Sequence, residues 1–101
     1  MQTLMVRSKV KSAHVAHVEV AVDKVFAAIA ETQPDGVRYA TTKLPDGVTF
    51  VALLHLDDGV DNPLLAIPAF IEFQNDLKQW IDGPPDAEAL TVVGNYPTLL
   101  S

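Results

Sequence analysis

Residues 3–11, TLMVRSKVK, alternate Leu4, Val6, Ser8 and Val10 with Met5, Arg7, Lys9 and Lys11, the period of a strand with one face toward a core. The period changes at Ser12. That residue offers a helix N-cap, and Val15, Val18, Val22, Val25, Phe26 and Ile29 recur at three- and four-residue spacing as far as Gln33, until Pro34 and Gly36 break the run. Two β-rich stretches follow, GVRYATTKL at 36–44 and VTFVALLHL at 48–56, joined by Pro45, Asp46 and Gly47. A three-residue hairpin loop fits, with Gly47 taking the positive φ it demands. In that register Tyr39 sits opposite Leu53, with His55 one pair away on the same face. After the loop DDGVDNP, residues 61–85 read as one helix, apolar around about half its circumference and stopped by Gly83, Pro84 and Pro85. EALTVVGNY, at 88–96, is the last strand.

The order strand, helix, strand, strand, helix, strand is the split βαβ or ferredoxin-like arrangement: an α+β fold with a four-stranded antiparallel sheet and both helices on one face. Ile67, Phe70, Ile71, Leu77 and Ile81 form a helical stripe that can lie on the sheet. Phe73 and Trp80 fall at its far edge and require further cover. Strand three makes the same demand, with Val48, Phe50, Ala52, Leu54 and Leu56 on one face and Val51 and Leu53 on the other. A sheet with a solvated back alternates more cleanly. With the helices on one side, a second copy of the chain is the available cover for the other, so the pattern predicts a homodimer formed through the sheets.

A length of 101 residues leaves no room for a second core, so a single domain over 1–101 is expected. The apolar share of 49% excludes disorder, yet a domain this small buries a modest part of its surface, which again favours a partner subunit. With 13 acidic against 7 basic side chains, the formal charge of -6 disfavours nucleic acid or an anionic lipid surface as partner. No cysteine is present, so there is no disulfide framework, thiolate metal site or Cys nucleophile. The first residues, MQTLMVRSKVKSAH, lack the apolar region of a signal peptide, and no apolar run reaches a membrane span. A cytoplasmic protein is expected.

The element order, the length and the second half, with its DNPL, AFIEF, GPP and LTVVGNY segments, resemble the antibiotic-biosynthesis-monooxygenase-like family of dimeric α+β barrels over nearly the whole chain. The resemblance implies two ferredoxin-like subunits packed sheet to sheet, with a ligand cavity in each between sheet and helices. Members include cofactor-free oxygenases of polyketide quinols and haem-degrading monooxygenases, so a pocket is implied more firmly than a reaction. The haem-degrading branch carries an Asn on the first strand and an axial His on the second helix. Here Ser8 stands near the first place, and the second helix has no histidine. The cofactor-free branch asks less, because an electron-rich substrate anion reacts with oxygen itself once a base has taken a proton and donors hold the oxyanion. The implied function is small-molecule binding, with cofactor-independent monooxygenation of an aromatic or polyketide-like phenol as the reaction. A non-catalytic ligand-binding or structural dimer of the same fold is the alternative, with haem degradation a distant third. Without Cys, clustered His ligands or a Gly-rich dinucleotide loop, no metal, haem or flavin is expected.

Few residues are candidates for that work. His55 offers a base at the end of strand three, or a structural histidine bonded across a subunit interface. Tyr39 could join it as a proton-handling pair, or the two could merely satisfy each other's polar atoms. Phe73 and Trp80 suit contact with an apolar ligand and equally suit core or interface packing. Asn62, before Pro63, caps the turn into the second helix, and Asn95 is either a ladder residue or a pocket donor. His14 and His17 stand one helical turn apart without a third ligand, which favours a solvated helix start over a metal site. Arg7, Lys9 and Lys11 line one face of strand one. Should that face be buried, Asp57, Asp58 or Asp61 are their natural carboxylate partners.

Overall fold

The computed structural model describes residues 2–95. Six main elements run along the chain: β1 (Gln2–Lys9), α1 (Val15–Thr32), β2 (Val37–Lys43), β3 (Thr49–Leu56), α2 (Pro68–Trp80) and β4 (Asp86–Leu90). The strands pair antiparallel in the order β2-β3-β1-β4, the ferredoxin-like topology the periodicity predicts. Side chains alternate across the sheet. Val6, Ser8, Tyr39, Thr41, Phe50, Ala52 and Leu54 face a space shared with the helices. The register therefore sets Met5, Arg7, Val51, Leu53 and His55 on the back.

The helices depart from expectation at their starts. Ser12 does not cap α1; Ser12–His14 form a 3₁₀ turn, and α1 begins at Val15 with no side-chain cap bond. At its other end, Gln33 takes the left-handed conformation (φ 50°), and its N–H donates to Ile29 O at 2.8 Å. The stretch 61–85 is not one helix. Pro63–Ala66 form a 3₁₀ turn, Ile67 is extended (ψ 113°), and α2 starts at Pro68. Proline explains the break, because it pushes the preceding residue out of the helical region while suiting the first helical position itself.

Two further differences concern the strands. The β2–β3 loop is one residue longer than PDG: Leu44 N donates to Thr49 O at 2.8 Å, and the Asp46 carboxylate accepts from Val48 N and Thr49 N. Tyr39 consequently pairs with Leu54, and His55 with Arg38, so the phenol and the imidazole point to opposite faces of the sheet. The last strand runs over Asp86–Leu90 instead of 88–96. It pairs only with β1, through the register Thr3↔Leu90 to Arg7↔Asp86, and 91–95 have no ladder. Tyr96, the expected end of the strand, lies outside the described residues.

The core lies between sheet and helices. Val10, Val18, Val25, Phe50, Leu64, Ile67, Phe70 and Phe73 form its buried cluster. Phe73 is thus covered within the subunit, and Trp80 packs partly buried against that cluster, with α1 closing over the edge of α2.

Candidate functional site

Sheet and helices flank a partly open cavity of about 300 Å³. Val6, Phe50, Ala52 and Leu54 line it from the sheet, Val18 from α1, and Phe70, Phe73 and Leu77 from α2. Five neutral polar side chains, Ser8, Tyr39, Thr41, Asn62 and Gln74, interrupt this apolar wall. Among the described residues no charged side chain lines it.

Tyr39 reaches the cavity because β2 alternates and its Val37, Tyr39 and Thr41 face is the helix face. Its ring stacks on Phe26 (5.3 Å, 10°) and meets the edge of Phe70 (5.9 Å, 81°), which fixes its plane. Burial pushes the phenol pKa up, and the Thr41 hydroxyl beside it partly offsets this. Tyr39 is therefore protonated near neutral pH, a donor and not a base. Although the two hydroxyls are close enough for that influence, they stop short of hydrogen-bond geometry. Thr41 Oγ1 is buried with no hydrogen-bond partner among the described residues.

Asn62 supports the site twice. Its Oδ1 accepts from Leu64 N at 3.0 Å and caps the turn Pro63–Ala66, leaving the amide N–H groups for the cavity the residue lines. Gln74 escaped the sequence reading because its type carries no signal; only its position one turn after Phe70 could have found it. Thr41 was legible as a face-mate of Tyr39, but not as a buried hydroxyl lacking a partner.

The other candidates lie elsewhere. His55 is buried on the back of the sheet, where Nδ1 shares a 2.9 Å hydrogen bond with the Thr3 hydroxyl and Nε2 stands 3.6 Å from Asp57 Oδ1. These partners belong to its own chain. Trp80 stacks on His17 (5.9 Å, 23°) in an outer groove between α1 and α2, which Phe73 also borders. His14 and His17 face each other through their Nδ1 atoms at 3.1 Å, and no group of three metal-ligating side chains occurs among the described residues. Asn95 is exposed beyond β4 and does not line the cavity. Arg7, Lys9 and Lys11 are exposed as well.

Similarity to solved structures runs along nearly the whole chain. SnoaB, a cofactor-independent oxygenase from Streptomyces nogalater, superposes with a TM-score of 0.69 at 19% identity, over 95% of this chain and 96% of its own. A structure named antibiotic biosynthesis monooxygenase gives 0.70 at 12% identity, over 93% of this chain and 100% of the other. The fold is that of the antibiotic biosynthesis monooxygenases. A conserved protein from Methanosarcina mazei Go1 is also similar, with a TM-score of 0.73 at 13% identity over 88% of this chain and 89% of its own. At these identities the likeness to the monooxygenases covers the fold and not a reaction. No family model and no curated protein matches the chain. No helix among the described residues is long and apolar enough to cross a membrane.

Proposed function

We propose that the chain binds a small, largely apolar aromatic molecule between sheet and helices and oxygenates it without a cofactor, as a homodimer in the cytoplasm. The cavity carries this reading: about 300 Å³, mostly hydrocarbon wall, a few neutral hydrogen-bonding groups and no charge among its described residues. Such a lining suits a ring system with few oxygen functions. The reaction class is supported by SnoaB, a cofactor-independent oxygenase of the same fold. Tyr39 donates to a substrate phenol oxygen as negative charge grows there, the part its raised pKa fits. The proton leaves to solvent, because the described lining contains no base. Phe73 shapes the wall. His55 stands on the other face of the sheet, so the reading gives it a structural part with Thr3.

Support for the dimer comes from the back of the sheet. Half-buried Met5 and Leu53 are register partners there, with Val51 next along the same face of β3 and Leu90 beyond Thr3 at the β4 edge. Arg7 and Lys9 flank them from β1, and Asp86 and Glu88 from β4. A two-fold copy can set those acids against those bases.

A cavity without a base also favours a second reading, binding without turnover. Oxygen uptake with a panel of dihydroxynaphthalenes separates the two. We expect turnover that survives chelation and dialysis and that falls roughly 100-fold in Tyr39→Phe. Binding without uptake selects the second reading, and no binding removes both.

A further inference from the structure

Thr41 Oγ1 poses a problem that the subunit alone does not solve. It is a buried hydroxyl without a hydrogen-bond partner among the described residues, and leaving such a group unpaired is costly enough that folded proteins rarely do so. Its residue lines the cavity on the same strand face as Tyr39, two positions along β2. The Tyr39 ring is fixed between Phe26 and Phe70, so adjustment falls to the threonine, whose side chain has a single rotatable bond. A group on the same face, close enough to be influenced by it, is the Tyr39 phenol.

We propose that Thr41 is a positioning residue: when a ligand fills the cavity, its hydroxyl turns to donate to Tyr39 Oη and thereby directs the Tyr39 proton at one ligand oxygen. This rests on the cavity being the ligand site, as proposed above. The direction follows from donor counting. A phenol has one proton to give, and a phenol that accepts from Thr41 spends that proton on the ligand, each bond polarising the next. The influence of the Thr41 hydroxyl on the Tyr39 phenol has the matching sign, since a donor to the phenolate lowers its pKa. The ligand class narrows accordingly to aromatics whose carbonyl or ionised hydroxyl oxygen lies at one edge, with hydrocarbon elsewhere.

Calorimetric titration with 1-tetralone, and with tetralin as the same skeleton without the carbonyl, tests the relay in the full chain. We expect wild type to prefer the ketone by roughly tenfold, the worth of one good net hydrogen bond. Tyr39→Phe should abolish the preference, Thr41→Val should reduce it several-fold, and Thr41→Ser should restore it. Alkaline spectroscopic titration provides a readout that mere packing would not move: Tyr39, identified against Tyr39→Phe, should ionise at higher pH in Thr41→Val and not in Thr41→Ser. Thr41→Val keeps the shape and removes an unpaired hydroxyl, so it should melt no lower than wild type. Should Thr41→Val retain the full preference, the relay is overturned and a water satisfies the hydroxyl. Equal binding of both probes by wild type also overturns the relay while leaving the cavity as a ligand site, whereas failure to bind either removes the cavity reading as well.

Discussion

Asp46 holds the β2–β3 turn through three hydrogen bonds: Oδ1 accepts from Val48 N (3.0 Å) and Thr49 N (2.9 Å), and Oδ2 from the Thr49 hydroxyl (2.6 Å). This one carboxylate fixes a loop one residue longer than the composition of the turn suggests, and the extra residue decides which side chains share a face. The Thr49 hydroxyl first, then the Thr49 and Val48 amides, keep the Asp46 carboxyl below its ordinary pKa. A depressed folded-state pKa contributes stability above the unfolded value, which is lost as pH falls through the folded one. Asp46→Ala should therefore melt below wild type at neutral pH, and the two should converge in strong acid. A gap of unchanged size in acid would show that the carboxylate is not what holds the turn. Tyr39 and Thr41 could be placed on one face from alternation alone. Which face of β3 they met could not, because the deciding bonds come from a side chain to backbone groups two and three residues away.

At the scale of elements, periodicity carried the sequence far: all four strands and both helices occur in the predicted order, because one core face imposes period 2 on a strand and 3.6 on a helix. What it missed lies where another constraint outranks the apolar pattern. Pro68 forces Ile67 extended and divides the second helical stretch. Leu90 ends β4 opposite Thr3, one residue short of the end of β1, although 91–93 are still rich in β-formers. The turn before α2 gives a sharp contrast between neighbours. Leu64 is 0% exposed and belongs to the core, while Leu65 is 61% exposed. We expect Leu64→Ala to cost about 2–5 kcal/mol through lost burial and the cavity left behind. Leu65→Ala should stay within about 0.5 kcal/mol. Urea unfolding of both variants checks this, and equal losses would mean that the turn does not anchor the core as described.

For the whole molecule, the two faces of the sheet pose different problems. The helix face is covered by α1 and α2, which leave the cavity partly open, and Phe73, expected to need outside cover, finds it inside the subunit. The back face remains. Val51 and Leu53 are half-buried there beside Met5, with Arg7, Lys9, Asp86 and Glu88 around them, so the second apolar face legible in β3 persists in the folded subunit. A stable dimer needs roughly 800 Å² from each partner, an area the back of a four-stranded sheet can supply. Leu53→Asp sets a carboxylate in the middle of that face without touching the cavity side, so the proposed dimer should dissociate while the subunit keeps its fold. Light scattering on a size-exclusion column should then give twice the subunit mass for wild type at low micromolar concentration and the subunit mass for the variant, with circular dichroism unchanged. A wild-type protein of subunit mass would leave the back of the sheet as a surface of the single chain. If wild type is dimeric and Leu53→Asp remains so, the interface runs through the helices, and Trp80 in the groove between α1 and α2 becomes the residue to change next.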